Sequence, residues 1–148
     1  MQHEVNVIIE ESFSRLITEL GFRKENTVDT NCDSAKFISE HFGIKVEKYR
    51  REFYVTLFKL ESPNQEINMF NLLNYLNLNS NLVLESNYFA DEANVMNSYR
   101  KQLEYISSTL YRNFQTIKEF FGREDFSSEH DRVNEFMRAK YPNLFQQK

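Results

Sequence analysis

The chain has 148 residues with a formal net charge of −4, and 41% of its residues are hydrophobic while 27% are charged. At this length about 68–70% of the unfolded chain's surface can be buried, so a single globular domain over 1–148 is expected. The acidic balance disfavours nucleic-acid binding, because neutralising phosphates requires a concentrated basic surface. It favours a basic protein partner instead.

The cysteine content and the hydropathy indicate a cellular compartment. Cys32 is the only cysteine, so no intramolecular disulfide can form and a reducing environment is expected. The amino-terminal residues lack the basic and apolar regions of a signal peptide, and no apolar run reaches about 18 residues. The sequence therefore predicts a cytoplasmic protein with no membrane association.

The first predicted element is an amphipathic helix over 5–20, in which apolar residues recur at steps of three and four. Gly21 follows at the position where a left-handed residue would end the helix, and Phe22 could then fold back onto Ile17. The polar segment 23–34 predicts a loop with room for one short strand near 22–28.

The strongest β signal lies in 36–60. A strand over 38–47 would place apolar side chains on one face and polar ones on the other: Ile38, Phe42, Ile44 and Val46 against Ser39, His41, Lys45 and Glu47. An aromatic and β-branched run over 53–60 follows Arg50 and Arg51, so a hairpin turning near these arginines is expected. The predicted fold class is therefore α+β, an antiparallel sheet built on the 36–60 hairpin and packed on one face by amphipathic helices.

The next segment carries two rival helix starts. Ser62 and Pro63 have the form of a cap followed by proline at the first helical position, while Asn68 is an alternative cap. A short helical stripe follows, made of Ile67, Phe70, Leu73 and Leu76. The segment 79–90 has no clean period and predicts an irregular connection.

The longest helical pattern runs over 91–122, from Asp91 as N-cap to Gly122 as the stop. A continuous helix of this length would extend about 45 Å, which exceeds a domain of this size, so a bend is expected around Ser107-Ser108-Thr109. A last helix should start near Ser127 or Ser128 and end before Tyr141. Its packing face would consist of Val133, Phe136 and Met137.

No catalytic, cofactor-binding or metal-binding residues are predicted. The histidines are far apart in sequence and belong to no ligand motif: His3, His41 and His130. Glu40 and His41 would point to opposite faces as neighbours on a strand. Cys32 lacks the flanking signature of a catalytic nucleophile, and three glycines leave no phosphate-binding loop.

Two surface segments are candidate binding sites. Tyr49-Arg50-Arg51, with lysines nearby at Lys45, Lys48 and Lys59, could form a basic-aromatic nucleic-acid patch. The interrupting Glu47 and Glu52 favour the alternative, in which the charges discourage edge-to-edge strand pairing.

The predicted partner-binding residues are Tyr88, Phe89, Asp91 and Glu92. Adjacent aromatic residues in an acidic surround suit a basic, hydrogen-bonding protein partner. The alternative is that Phe89 forms a hydrophobic staple ahead of the Asp91 cap.

The order of elements resembles that of the small α+β immunity proteins encoded beside polymorphic bacterial toxins. The resemblance rests on a helix ending Leu20-Gly21-Phe22, a charged turn Arg50-Arg51-Glu52, a short helix Met69-Phe70-Asn71-Leu72-Leu73, and then a long helix. It implies a non-enzymatic protein that binds one cognate toxin and blocks it, and it transfers no site residues. Two alternatives remain open: a homodimeric regulatory or structural protein, and an enzyme or small-ligand carrier with a pocket between sheet and helices.

Overall fold

The computed structural model describes residues 2–25, 34–76 and 93–140. Within these ranges the helices are α1 (Gln2–Ser12), α2 (Ser14–Leu20), α3 (Met69–Leu76), α4 (Val95–Arg112), α5 (Phe114–Phe121) and α6 (Phe126–Lys140). The strands are β1 (Arg23–Lys24), β2 (Ser34–Ile38), β3 (Gly43–Tyr49), β4 (Glu52–Lys59) and β5 (Ser62–Asn68). The fold is therefore α+β, as the sequence predicts.

The strands form one antiparallel sheet in the order β1-β2-β3-β4-β5. Alternate side chains of β2 to β5 enter the core, which the helices complete. The buried strand residues are Ala35, Phe37, Ile44, Val46, Phe53, Val55, Leu57 and Ile67. We call this side of the sheet the covered face and the opposite side the open face. Leu16 and Leu103 are buried in the same core, and Ile17 packs against it partly buried.

The single strand predicted over 38–47 is wrong, because the chain turns between β2 and β3. The Ser39 hydroxyl accepts hydrogen bonds from the amides of His41 (3.2 Å) and Phe42 (3.3 Å) and donates to the Phe42 carbonyl (3.0 Å). These local bonds compete with strand extension and stabilise a turn. Ile38 instead pairs with Gly43 and is half-buried, whereas Phe42, Ile44 and Val46 are buried as expected.

The predicted hairpin over β3 and β4 is confirmed. Tyr49 pairs with Glu52, which leaves Arg50 and Arg51 as a two-residue turn. Arg50 has φ 59°, in the left-handed region that non-glycine residues rarely adopt. The turn therefore holds its first residue in an unfavourable backbone conformation.

The helix start predicted at Ser62 is wrong, since 62–68 forms strand β5 at the edge of the sheet. Pro63 is compatible with an edge strand, where its missing amide removes no internal ladder bond. The rival cap is the one used: the Asn68 side-chain oxygen accepts from the amides of Phe70 (2.9 Å) and Asn71 (3.1 Å). Ile67 consequently belongs to the strand and not to the helical stripe.

The first helical pattern breaks at Phe13, which separates α1 from α2 and stacks on Phe37 with ring centroids 5.0 Å apart. Gly21 adopts φ 78°, and its amide bonds to the Leu16 carbonyl, so the predicted helix stop is confirmed.

Phe22 is buried and contacts the Phe42 ring edge-on at 5.3 Å. β1 is the short strand for which the sequence left room.

The long helical pattern breaks later than predicted, at Asn113 instead of 107–109. The Thr109 hydroxyl does bond to the Tyr105 carbonyl (2.7 Å), yet the helix continues for one more turn. The side-chain amide of Asn113 then donates to the Thr109 carbonyl at 2.8 Å. The observed N-cap is Asn94, which accepts from the Asn97 amide (3.1 Å). The predicted cap Asp91 lies outside the described residues.

The last helix begins at Phe126, one residue before the predicted start. Val133 and Met137 are buried, and Phe136 is half-buried with its ring edge-on to Tyr75 at 5.7 Å. In the described part of the chain, no helix is both long and apolar enough to cross a membrane.

Candidate functional site

The residues predicted from sequence as the partner site lie outside the described residues, as does Cys32: Tyr88, Phe89, Asp91 and Glu92. Across 2–25, 34–76 and 93–140, no three side chains of His, Cys, Asp or Glu converge at metal-ligand spacing.

A shallow cleft of about 240 Å³ is lined by Leu20, Gly21, Glu40 and His41. Glu40 and His41 belong to the turn between β2 and β3, so the prediction that they point to opposite faces of a strand is wrong. Both side chains are exposed, as expected for His41. The volume is below the roughly 300–1,000 Å³ of small-molecule sites. The cleft is therefore smaller than a typical small-molecule binding site.

A buried carboxylate joins the start of α6 to α3. Glu129 is 5% exposed and accepts from Arg123 (3.1 Å), from Arg132 and from the Tyr75 hydroxyl (3.4 Å). Burial, and then the Glu129 charge, raise the pKa of Tyr75. Because both carboxylate oxygens are engaged, this cluster is a structural link between the helices.

At the end of the open face far from the Arg50 turn, Phe58 and Gly43 pack against each other. The Phe58 ring lies across Gly43, where a Cβ atom would be 2.1 Å from the ring carbon Cζ. Phe58 is only 6% exposed although it lies outside the main core cluster. The Lys36 ammonium lies 5.6 Å from the ring centroid. This end of the open face therefore offers little accessible apolar surface.

The middle of the open face carries a lysine at the centre of an ion-pair network. The Lys45 ammonium is 2.8 Å from a Glu66 oxygen and 3.7 Å from a Glu47 oxygen. The hydrogen bond that the Lys45 ammonium donates to Glu66 raises the pKa of Lys45. Lys45 is therefore bonded mainly to Glu66, and its contact with Glu47 is looser.

Two tyrosines and two glutamates occupy the end of the open face nearest the turn. Glu47 pairs with Tyr54 and Tyr49 pairs with Glu52, so all four side chains share one face. Tyr49 is 60% exposed and Tyr54 is 43% exposed. We call these four residues the hairpin-end surface.

The Tyr54 hydroxyl donates to the Glu52 carboxylate at 2.8 Å. That hydrogen bond raises the pKa of Tyr54. Because Glu52 lies two residues before Tyr54 on β4, this bond links neighbouring side chains of the open face.

Arg50 lies beside this surface at the strained turn. Its guanidinium carbon is 5.3 Å from the centroid of the Tyr49 ring, within the range of a cation–π contact. The Lys48 ammonium donates to the Arg50 carbonyl at 3.1 Å. Strained backbone persists only where neighbouring groups hold it, and such residues concentrate at functional sites.

Gln102 of α4 holds the turn from the covered face. Its side-chain oxygen accepts from the Phe53 amide (3.2 Å), and its nitrogen donates to the Arg51 carbonyl (2.8 Å) and to the Ser98 hydroxyl (3.2 Å). Gln102 is 1% exposed, so these bonds are shielded from water. The turn is thus fixed to a helix instead of projecting freely into solvent.

The cations of the basic-aromatic segment do not form one patch. Lys45 belongs to the open face, whereas the Lys48 ammonium lies 5.7 Å from the ring of Tyr99 on α4. The Lys59 ammonium lies 5.0 Å from the Phe126 ring, near the opposite end of β4. The alternation of the strands therefore separates residues that look clustered in the sequence.

Comparisons of the chain with protein-family models, with curated proteins and with solved structures each found no match. The sequence places Tyr49, Arg50 and Glu52 next to one another, but no local pattern in it predicts that Tyr54 belongs to the same surface. The signal that could have found it is the pairing register, which depends on the exact length of the turn.

Proposed function

We propose that the chain is a non-enzymatic protein-binding module, of the immunity-protein type, which binds a basic toxin domain in the bacterial cytoplasm and blocks it. The observation that supports this most is the hairpin-end surface, where two exposed tyrosines lie beside two carboxylates on a fixed turn. Tyrosine and arginine are enriched among the residues that dominate interface energies.

The fixed turn favours binding over a purely structural role for the tyrosines. Gln102 bonds to the backbone within the turn, at Arg51, and just after it, at Phe53, so little conformational freedom remains to be lost when a partner docks. A preorganised surface binds more tightly because it avoids this entropic cost.

The charge of the chain supports a basic partner. The net charge of −4 attracts a basic protein over long range and accelerates its encounter. Glu47 and Glu52 then provide acceptors at the contact itself.

The test co-expresses the chain with the toxin domain encoded immediately upstream of its gene, the position expected for the partner of an immunity protein. The wild-type chain should restore growth and bind the purified toxin domain. The double variant Tyr49→Ala/Tyr54→Ala should weaken that binding at least tenfold, about 1.4 kcal/mol, with an unchanged melting temperature.

The matched control is Val7→Ser, which removes a comparably exposed apolar side chain (49%) from α1. It should leave protection and affinity unchanged. The proposal would be contradicted by the absence of protection in the wild-type chain, or by equal losses in the control and the double variant. Loss of dimerisation in the double variant, without any toxin binding by the wild type, would support a homodimeric protein instead.

A further inference from the structure

The chemistry of the partner at the hairpin-end surface can be inferred from the protein's own Arg50. Resting on the proposed function, we propose that the partner presents an arginine whose guanidinium stacks on Tyr49 and pairs with Glu52 or Glu47. In doing so it replaces Arg50 on the Tyr49 ring. Arg50 is thus an internal stand-in for the group that the surface binds.

The first support is that a guanidinium already occupies this ring. The Arg50 guanidinium carbon lies 5.3 Å from the Tyr49 centroid, and Tyr49 keeps 60% of its surface exposed. An exposed contact of this kind is worth about a two- to fivefold change in a binding constant, or ~0.5–1 kcal/mol. A partner group with additional bonds can therefore displace it.

The second support is that, among the described residues, the Arg50 guanidinium forms no ion pair with Glu47 or Glu52. Glu52 is directly opposite Tyr49 in the strand pair, and Glu47 lies two residues away on the same face. Residues directly opposite have Cβ atoms about 4.5–5.5 Å apart, so one guanidinium can reach both the ring and a carboxylate. A bidentate arginine–carboxylate pair is stronger and more directional than a lysine contact.

The other cations near the surface are engaged elsewhere. Lys45 bonds chiefly to Glu66 at 2.8 Å, and the Lys48 ammonium binds the Arg50 carbonyl and faces Tyr99. Arg51 is half-buried at the turn. In the described part of the chain, this end of the open face therefore presents the carboxylates of Glu47 and Glu52 beside the guanidinium of Arg50.

The test is an amide chemical-shift titration of the full chain with acetyl-Gly-Arg-Gly-Arg-Gly-amide, and with the same peptide containing citrulline in place of arginine. Citrulline keeps the shape of arginine and removes its charge. The arginine peptide should shift the amides of 47–54, and the citrulline peptide should bind at least tenfold more weakly. Glu52→Gln should reduce the affinity for the arginine peptide by a similar factor.

Arg50→Gly distinguishes displacement from simple attraction. Glycine accepts the positive φ without strain, so the variant should fold normally and bind the arginine peptide two to five times more tightly. Arg138→Gln removes one positive charge from the exposed part of α6, outside the hairpin-end surface, and should leave the affinity within about 1.5-fold of wild type, since salt screens solvent-exposed charges.

The proposal would be overturned by equal binding of the citrulline peptide, by shifts that map away from 47–54, or by weaker binding in Arg50→Gly. Weaker binding in that variant, together with binding of an acidic peptide, would identify Arg50 itself as the contact to an acidic partner. These outcomes are separate from the proposed function, which is contradicted if the wild-type chain gives no protection against the toxin domain, or if Val7→Ser and the tyrosine double variant lose affinity equally.

Discussion

The difference in side-chain burial between the two faces of the sheet changes along the strands. At the turn end, the covered face buries Val46 and Phe53 completely while the open face exposes Tyr49 and Tyr54. At the opposite end the contrast vanishes, because Phe58 on the open face is nearly as buried as its neighbour Leu57. Only near the turn does strand alternation place core side chains on one face and accessible side chains on the other. A binding surface can therefore form there without destabilising the core.

The largest expected effect tests the covered face. Ile44→Ala should lower the free energy of unfolding by about 2–5 kcal/mol, because it leaves a cavity at a fully buried position. Urea or thermal unfolding measures the loss. The control is its neighbour on the open face: Lys45→Ala should cost less than about 1 kcal/mol, since its ion pairs are partly exposed. Similar losses in both variants would show that the faces are wrongly assigned.

The next prediction concerns the packed end of the open face. Gly43→Ala should destabilise the chain by about 1–3 kcal/mol, because the new methyl group would overlap three Phe58 ring atoms at 2.1–2.6 Å. In a Phe58→Ala background the same substitution should cost little, since the ring is gone. A double-mutant cycle by thermal unfolding measures this coupling, and additive losses would mean that the close contact does not exist.

A third prediction tests how the turn is held. Gln102→Ala should cost about 1–3 kcal/mol, since the buried Phe53 amide and Arg51 carbonyl lose their partner. Amide hydrogen exchange should accelerate at Phe53 while Val46, deeper in the sheet, stays protected. Unchanged exchange at Phe53 would show that Gln102 does not hold the turn.

The smallest effect is a titration at the hairpin-end surface. The pKa of Tyr54 is raised by its hydrogen bond to Glu52, so Glu52→Gln should lower it towards 10.0. A raised phenol pKa stabilises the folded state below the unfolded pKa, and this contribution is lost as the pH rises through the folded value. Ultraviolet absorbance titration, with Tyr54→Phe as the reference, measures the shift. An unaltered titration in Glu52→Gln would place the Tyr54 hydroxyl away from this carboxylate.

Local pattern was sufficient for the fold class and for the elements whose signals are redundant. The alternation around Ile44, the arginine turn and the Gly21 stop each depend on nearby residues, and each is confirmed. The incorrect predictions at β2–β3 and at the start of α3 share one cause. In each case a side chain near an element boundary formed one of several competing local hydrogen bonds. Ser39 formed a turn within an apparently continuous strand, and Asn68 capped α3 although Ser62-Pro63 also has the form of a helix start.

The candidate site was harder to predict because it depends on pairing between strands. Tyr54 joins Tyr49 only through the register of β3 and β4, and Gln102 reaches the turn from about fifty residues further along the chain. Neither relation leaves a periodic signal in the sequence. The site predicted at Tyr88 and Phe89 lies outside the described residues and stays a prediction.

The affinity of Tyr49→Ala/Tyr54→Ala for the toxin domain, measured by calorimetry alongside its melting temperature, tests the central claim most directly. The claim is that these side chains serve binding and not stability. It predicts at least a tenfold weaker complex with a melting temperature within about 2 °C of wild type, because exposed substitutions change stability by less than about 0.5 kcal/mol. A large fall in melting temperature with undiminished affinity of the folded fraction would contradict it.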